Sequence, residues 1–515
     1  MKSSLRAKAG SVDLSRSATR DVFLVFGNQL FAEGHFPPPG RIKIFMAEDP
    51  ELCTYFKFHK HKIILFLAAM RSWAERMENR GYEIHYIKIT DENQRGISFE
   101  DKLLAFLKSH PSADLHHFEI EDRFMDGRIA VMASKAGRKR LVLPSPMFLT
   151  SREEFKEYLA STKKPFMKTF YERRRKQLSI LVNKDGSPVG GQWSFDADNR
   201  ERLDPRIIIP TLPRPAPSPH VAAVSDVVDK LFPDHPGRSS DFWLPVTTDG
   251  ANVWLKDFLE NRLHNFGRFE DAITPDHFAL FHSVLSPVMN LGLLTPGQVV
   301  ESTLAFTKSS KVPFNSLEGF IRQVIGWREF VRGIYQNFGD RQESSNFFAH
   351  KLRLGPAWYQ AETGLPPLDD ALRKSLQFGW AHHIERLMII SCVMLLSGVA
   401  PSEAYRWFME MYVDSSDWVM VPNVMGMGQF SDGGIFATKP YVCGSNYILK
   451  MSSYKKGPWC DIWDGLYWKF VAEKSPFLTR NPRLSMMVAS WKKMPVTRQK
   501  LLLKAADSFI EKTCL

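Results

Sequence analysis

Val22-Phe-Leu-Val-Phe-Gly-Asn-Gln29 decides the architecture of the first third of this chain. An unbroken run of five apolar residues, ended by Gly-Asn-Gln, predicts a strand buried on both faces and then a turn. The pattern repeats outward from there. Ile42-Lys-Ile-Phe-Met46 predicts a second strand. Residues 58–80 have helical spacing, with Ile64, Leu67, Ala68, Met70 and Trp73 on the apolar side and Gly81 as the stop. Residues 82–87 predict a third strand, 102–107 a helix and 114–120 another strand. Strands alternating with helices predict an α/β domain on a doubly wound parallel sheet over residues 21–150.

Beyond it the chain changes character. Residues 151–250 hold the basic cluster Tyr171-Glu-Arg-Arg-Arg-Lys176, the turn-rich Gly186-Ser-Pro-Val-Gly-Gly-Gln-Trp193 and a Pro-rich stretch from Pro210 to Pro219, which predicts a long interdomain linker. From 251 to 515 the strand signals fade. Helical runs at 253–264, 317–338, 369–398 and 402–412 predict a large all-α domain.

The chain has 515 residues, more than one ordinary core holds. Its net charge of +12 suits either a polyanionic partner or an indifferent basic surface. Five cysteines without a CxxC pair exclude a disulfide scaffold and point to a reducing, cytoplasmic compartment, with organelle or nucleus as the alternatives. Residues 1–20 carry five basic residues and resemble a transit peptide in composition; a basic, disordered tail is the simpler expectation. No apolar run reaches the length of a membrane span, and a monomer is expected.

Phe378-Gly-Trp-Ala-His-His-Ile-Glu-Arg-Leu-Met388 sets two histidines at the start of an apolar helical run. Neighbours on a helix point about 100° apart, so one can face a pocket while the other packs. A histidine there could donate a proton, or the pair could be ordinary polar residues at a helix start. No third ligand lies at recognisable spacing, so no metal site is expected. Arg322, Gln323, Trp327 and Arg328 sit in an otherwise apolar helix and need partners, from a ligand or from internal ion pairs. Ser286 before Pro287 reads as an N-cap or a phosphate site. Gly426, Gly428, Gly433 and Gly434 imply either close approach of a ligand or a tight loop. Arg173–Lys176 reads as a solvated helix face or a nucleic-acid contact.

Taken together, residues 24–30, 46–48, 58–63, 190–196, 282–290, 319–329, 379–388 and 422–434 resemble the cryptochrome/photolyase superfamily. They are most similar to bacterial (6-4) photolyases and related cryptochromes that usually carry an iron–sulfur cluster. The resemblance implies an N-terminal antenna domain and a helical FAD-binding domain. It implies repair of (6-4) photoproducts in UV-damaged DNA, flipped into the pocket, by an electron from light-excited reduced FAD. The alternative is a blue-light photoreceptor of the same fold without repair. By matching, His383 is the proton donor, His382 lies beside the flavin and Gln323 faces the lesion. Ser283, Leu285, Ser286, Arg328, Arg386, Asp414 and Asn423 would hold FAD. Trp407 would be the tryptophan nearest the flavin in the electron-supply chain, with Phe408 in place of the usual tyrosine and Trp358 or Tyr359 as outer member. Gly27, Asn28, Gln29 and Glu48 would border a ribityllumazine antenna. The chain departs from the group at the cluster. Lys455 and Pro458 occupy the CxxC places, residues 364–367 lack the upstream cysteine, and Cys460 alone is left. One thiolate cannot hold such a cluster, so none is expected.

Overall fold

The computed structural model describes residues 21–94, 96–482 and 484–515, so the expected tail over residues 1–20 lies outside the described residues. Five strands, β1 (Asp21–Leu24), β2 (Ile42–Ala47), β3 (Glu83–Ile87), β4 (Leu115–Phe118) and β5 (Arg140–Leu143), form one sheet in the order β3-β2-β1-β4-β5. Every pairing is parallel. The doubly wound sheet predicted from residues 22–120 is therefore present. Its order reverses between β1 and β4, and in such sheets ligands bind outside the carboxyl ends of the strands at that point. β1 is wholly buried, in keeping with its unbroken apolar run. β5 gave no clear sequence signal. It is a four-residue edge strand that begins with Arg140 and is only partly buried, so neither face is strongly patterned.

The helix at residues 58–80 spans Lys60–Glu78, and the 402–412 run is the helix Pro401–Met411. The linker region contains three helices, Arg152–Ala160, Met167–Leu178 and Pro219–Leu231. The C-terminal part is helical around a core in which Trp254, Trp358, Trp407 and Trp463 are almost completely buried. The run predicted as continuous over 369–398 is broken. Helix Pro366–Phe378 stops at Gly379, and helical geometry resumes at His383–Ile384. Gly379 has φ +63°, and a Cβ there would lie 2.7 Å from Cγ1 of Val413. Both the left-handed turn and the close contact require glycine.

Among the described residues, four helical stretches widen into π geometry: Phe258–Arg262, Arg322–Arg328, Glu385–Ser391 and Val421–Gly428. Such turns often accompany functional sites. The two halves of the molecule interlock through buried polar contacts. His59 donates from Nε2 to the carbonyl of Leu376 at 2.8 Å. Arg332 donates to Glu121 at 2.8 Å, and Glu329 accepts from the backbone N–H groups of Leu149 and Thr150. No helix among the described residues is long and apolar enough to cross a membrane.

Candidate active site

The break at Gly379 delivers the histidine pair. Val413 N–H donates to Gly379 carbonyl at 2.9 Å, which ties the turn to the end of helix Pro401–Met411. Trp380, Ala381, His382 and His383 follow, and the next helix then carries Glu385 and Arg386. His382 is buried; His383 is 47% exposed. A third ring joins them from a loop one hundred residues earlier. His282 lies parallel to His382, with ring centroids 5.0 Å apart, and edge-on to His383 at 5.5 Å. His282 was not singled out in the sequence, because nothing in its spacing ties it to the pair.

Electrostatics separates the three rings. Burial pushes His282 down to about 3, with the neighbouring His383 adding to the effect. Burial and His282 push His382 well below the ordinary histidine range. His383 moves the other way. Burial opposes its charge, but a hydrogen bond with Asp271 and the charges of Asp271 and Glu270 outweigh that and raise it. Nε2 of His383 lies 3.3 Å from Oδ1 of Asp271. One ring is thus tuned to carry a proton at the mouth of the site, and two stay neutral inside it.

The other expected residues gather around this centre in varying roles. Gln323 donates to Oε1 of Glu270 at 2.7 Å, and Glu270 also accepts from Asn199. Arg322 donates from Nη1 to Asp196 and lies within ion-pair distance of Glu318 and Glu270, while its Nε and Nη2 are buried without a hydrogen-bond partner. Arg386 forms a forked pair with Asp414 at 2.8 and 3.2 Å, and its guanidinium lies 3.8 Å from the centre of the Tyr412 ring. Ser286 is not the N-cap: it is the first residue of helix Ser286–Leu291, and its hydroxyl donates to Asp414 at 2.6 Å. A hydroxyl donating to a carboxylate makes a charge-assisted hydrogen bond, stronger than one between neutral groups. Ser283 and Leu285 lie on the same loop as His282, and the backbone N–H of Leu285 donates to the Ser283 hydroxyl. Arg328 donates to the carbonyl of Met147 and to Asn290, and lies over Phe148 and Trp418. Burial pushes it down to about 10. Asn423 donates to the carbonyl of Val419 one turn back.

Packing bears on two readings that the sequence leaves open. A Cβ at Gly426 would meet Gln342 at 2.5 Å, and one at Gly428 would meet Ser391 at 2.2 Å. At those two glycines protein packing leaves no space for a side chain, which suits the tight-loop alternative. In the basic run 173–176, Lys176 is exposed and Arg173 half-buried, but the two central arginines do not meet solvent. Arg174 and Arg175 are buried, donating to Glu154 and to the carbonyls of Leu149, Ile180 and Trp193, because the helix packs against the segment Arg322–Arg328.

A separate cavity of about 190 Å³ opens where the sheet meets the helical part. Gly27 and Asn28 line it, with Lys62, Asp122, Asp414 and Asp417. Gln29 and Glu48 do not. Glu48 is fully buried and accepts from Arg71, Tyr86 and the backbone of Ile89; Gln29 donates to the carbonyl of Glu119. Burial and the charge of Asp417 push Asp122 up to about 8, and burial pushes Lys62 down to about 7.

This arrangement has relatives. Residues 23–244 match the family described as deoxyribodipyrimidine photo-lyase-related protein, and residues 320–450 match the FAD binding domain of DNA photolyase. A (6-4) photolyase of Agrobacterium fabrum is 34% identical over 91% of this chain and 94% of its own length. The chain belongs to the cryptochrome/photolyase superfamily. Among solved structures, a bacterial class III photolyase from Agrobacterium tumefaciens superposes with a TM-score of 0.56 at 17% identity, covering 98% of this chain and all of that one. A Synechocystis cryptochrome gives 0.55 at 15% identity, covering 94% of each chain.

The flavin-binding domain of this superfamily member suits a ligand rich in heteroatoms. Among the described residues, both ring nitrogens of His382, Nε1 of Trp380 and of Trp407, and Oε2 of Glu385 are buried without a hydrogen-bond partner. Buried polar groups of that kind are rare and costly unless something pairs with them. Cys392 and Cys443 approach to 4.0 Å, and Cys460 lies buried in helix Trp459–Glu473. Among the described residues, the one trio of His, Cys, Asp or Glu side chains close enough to share an ion is His282, His382 and His383. In the segment that departs from the group, Tyr454 donates to Asp370 and Trp459 donates to the carbonyl of Lys455.

Proposed function

We propose that this protein is a light-driven DNA repair enzyme, a (6-4) photolyase with His383 as proton donor. One observation carries the reading: the histidine at the mouth of the site is the one that a carboxylate pair, Asp271 and Glu270, favours as the charged form. FAD, when bound, supplies the electron that light excites. The residues do the rest. Asp271 holds Nε2 of His383 and so fixes the ring's orientation. His382, buried and neutral, lies at the flavin side and cannot compete as an acid. Gln323, immobilised by Glu270, faces the lesion. Arg386, Asp414 and Ser286 form one hydrogen-bonded unit that, with Ser283, Leu285, Arg328 and Asn423, holds the cofactor.

Electrons reach the site through Trp407, which touches Phe408 and Tyr412 at 5.4 and 5.9 Å between ring centroids. Tyr359 suits the outer place as well as Trp358 does, because its hydroxyl donates to Glu410, an acceptor for the proton that tyrosine releases on oxidation. A ribityllumazine antenna occupies the cavity beside Gly27 and Asn28. No iron–sulfur cluster is held. Residues 21–150, 151–250 and 251–515 act as antenna domain, linker and catalytic domain of a cytoplasmic monomer.

The test gives purified protein DNA carrying either a (6-4) photoproduct or a cyclobutane dimer, under blue light and in the dark. Light-dependent restoration of the (6-4) lesion alone is expected. Restoration of neither lesion would replace this reading with the photoreceptor.

A further inference from the structure

We infer that His282, His382 and His383 form a binding site for a divalent first-row transition ion, Zn²⁺ in particular. One ring nitrogen from each lies within 4.8 Å of one from each of the others. Imidazole nitrogens bound to zinc at about 2.0–2.1 Å stand roughly 3.4 Å apart in a tetrahedral sphere. The rings therefore need to close by about an ångström. His383, at the mouth, is the exposed ring of the three.

Two further observations point to a ligand. Nε2 of His282 and both nitrogens of His382 are buried without a hydrogen-bond partner. Each ring also has an outer acceptor of the kind that orients metal-bound histidines. Asp271 faces His383 at 3.3 Å, Glu385 faces His382 at 3.5 Å, and the Glu270 backbone faces His282. Three imidazoles without a carboxylate in the inner set suit Zn²⁺, Co²⁺, Ni²⁺ or Cu²⁺ and not Mg²⁺ or Ca²⁺, which take oxygen ligands. The fourth position is open to water or an incoming group, and the half-exposed His383 marks the entry path.

The consequence rests on the reading of His383 as proton donor. A lone pair committed to a metal ion holds His383 out of that role, so the ion inhibits repair reversibly.

The test titrates chelator-treated holoprotein with ZnCl₂ by calorimetry and counts bound metal after equilibrium dialysis. One ion per chain is expected in the wild type. At least tenfold weaker binding is expected in His282→Gln, with an unchanged flavin spectrum showing that the fold is kept. His282→Cys, which restores a zinc ligand, is expected to recover binding. No binding, or binding indifferent to His282→Gln, would overturn the site; heat from MgCl₂ that His282→Gln abolishes would overturn the assigned ion class. In the second arm, Zn²⁺ is expected to lower wild-type repair and a chelator to restore it, with the ratio of rates with and without Zn²⁺ closer to one in His282→Gln. Binding without inhibition would overturn the inhibitory role alone. Failure of the protein to repair (6-4) lesions at all would remove the proton-donor reading and leave the binding arm to decide the site.

Discussion

Asp271 and His383 are the residue pair on which the proposed chemistry turns. A positioned general acid contributes about 10²–10⁴-fold. His383→Ala is expected to lose repair by that order while retaining FAD, read as lesion repaired per photon beside the flavin absorbance. Full repair in this variant would end the role. Asp271→Asn keeps the shape of the contact but removes its charge. It is expected to lower repair about tenfold with lesion binding little changed, measured by gel shift and repair yield on the same samples. His382 and His383 were legible as an acid–base suspect from the sequence, because adjacent histidines at the start of an apolar helix are uncommon. Asp271, Glu270 and His282 were not. Their loops lie a hundred residues or more upstream, and no periodicity links them to the pair.

At the scale of the element, the turn at Gly379 is what separates two helices that the hydrophobic pattern ran together. Apolar spacing continues through the break, so the period alone could not locate it; the glycine could. Gly379→Ala places a Cβ against Val413 in a left-handed turn. A cost of about 1–3 kcal/mol is expected, read from urea unfolding. Helix Pro401–Met411 presents Trp407, buried against Phe408 and Tyr412. Trp407→Phe is expected to slow photoreduction of the flavin at least tenfold without loss of cofactor, followed by absorbance under blue light with a thiol reductant. An unchanged rate would move the electron route elsewhere. The segment around Tyr454 and Trp459 predicts iron well below one atom per chain in protein purified without oxygen; about four would contradict the proposed absence of a cluster.

At the scale of the molecule, the join between the sheet and the helical part holds histidines that stay neutral. Burial pushes His59 down to about 3, although its Nε2 hydrogen bond to Leu376 works the other way. The sign follows from linkage. An unfolded chain protonates this ring near its ordinary value, about 6.5, whereas the folded chain does so near 3. The contribution is complete above pH 6.5 and is lost as pH falls from there toward 3, by at most about 1.4 kcal/mol per pH unit for one ring. Unfolding free energies by urea at pH 7.5 and 5.5 are expected to differ accordingly. His59→Gln is expected to be less stable throughout but to show a shallower fall with acid. An unchanged slope would show that other groups set it.

The sequence by itself determined the kinds of element and most of their order. Unbroken apolar runs specify buried parallel strands, 3.6-residue spacing specifies helices, and long motifs specify the superfamily; all of these are local properties of the chain. It left open whether Ser286 caps a helix or binds a phosphate, whether the glycines after residue 425 serve a ligand or a tight loop, and whether the arginines at 174 and 175 meet solvent. Only the tertiary structure decided those. Each depends on which group from a distant segment arrives within a few ångströms, Asp414 for Ser286, Gln342 and Ser391 for the glycines, and Glu154 with backbone carbonyls for the arginines. The same holds for the histidine pair: its identity is local, and the opposite electrostatic shifts of its two rings come from His282 and Asp271, which the fold brings to it.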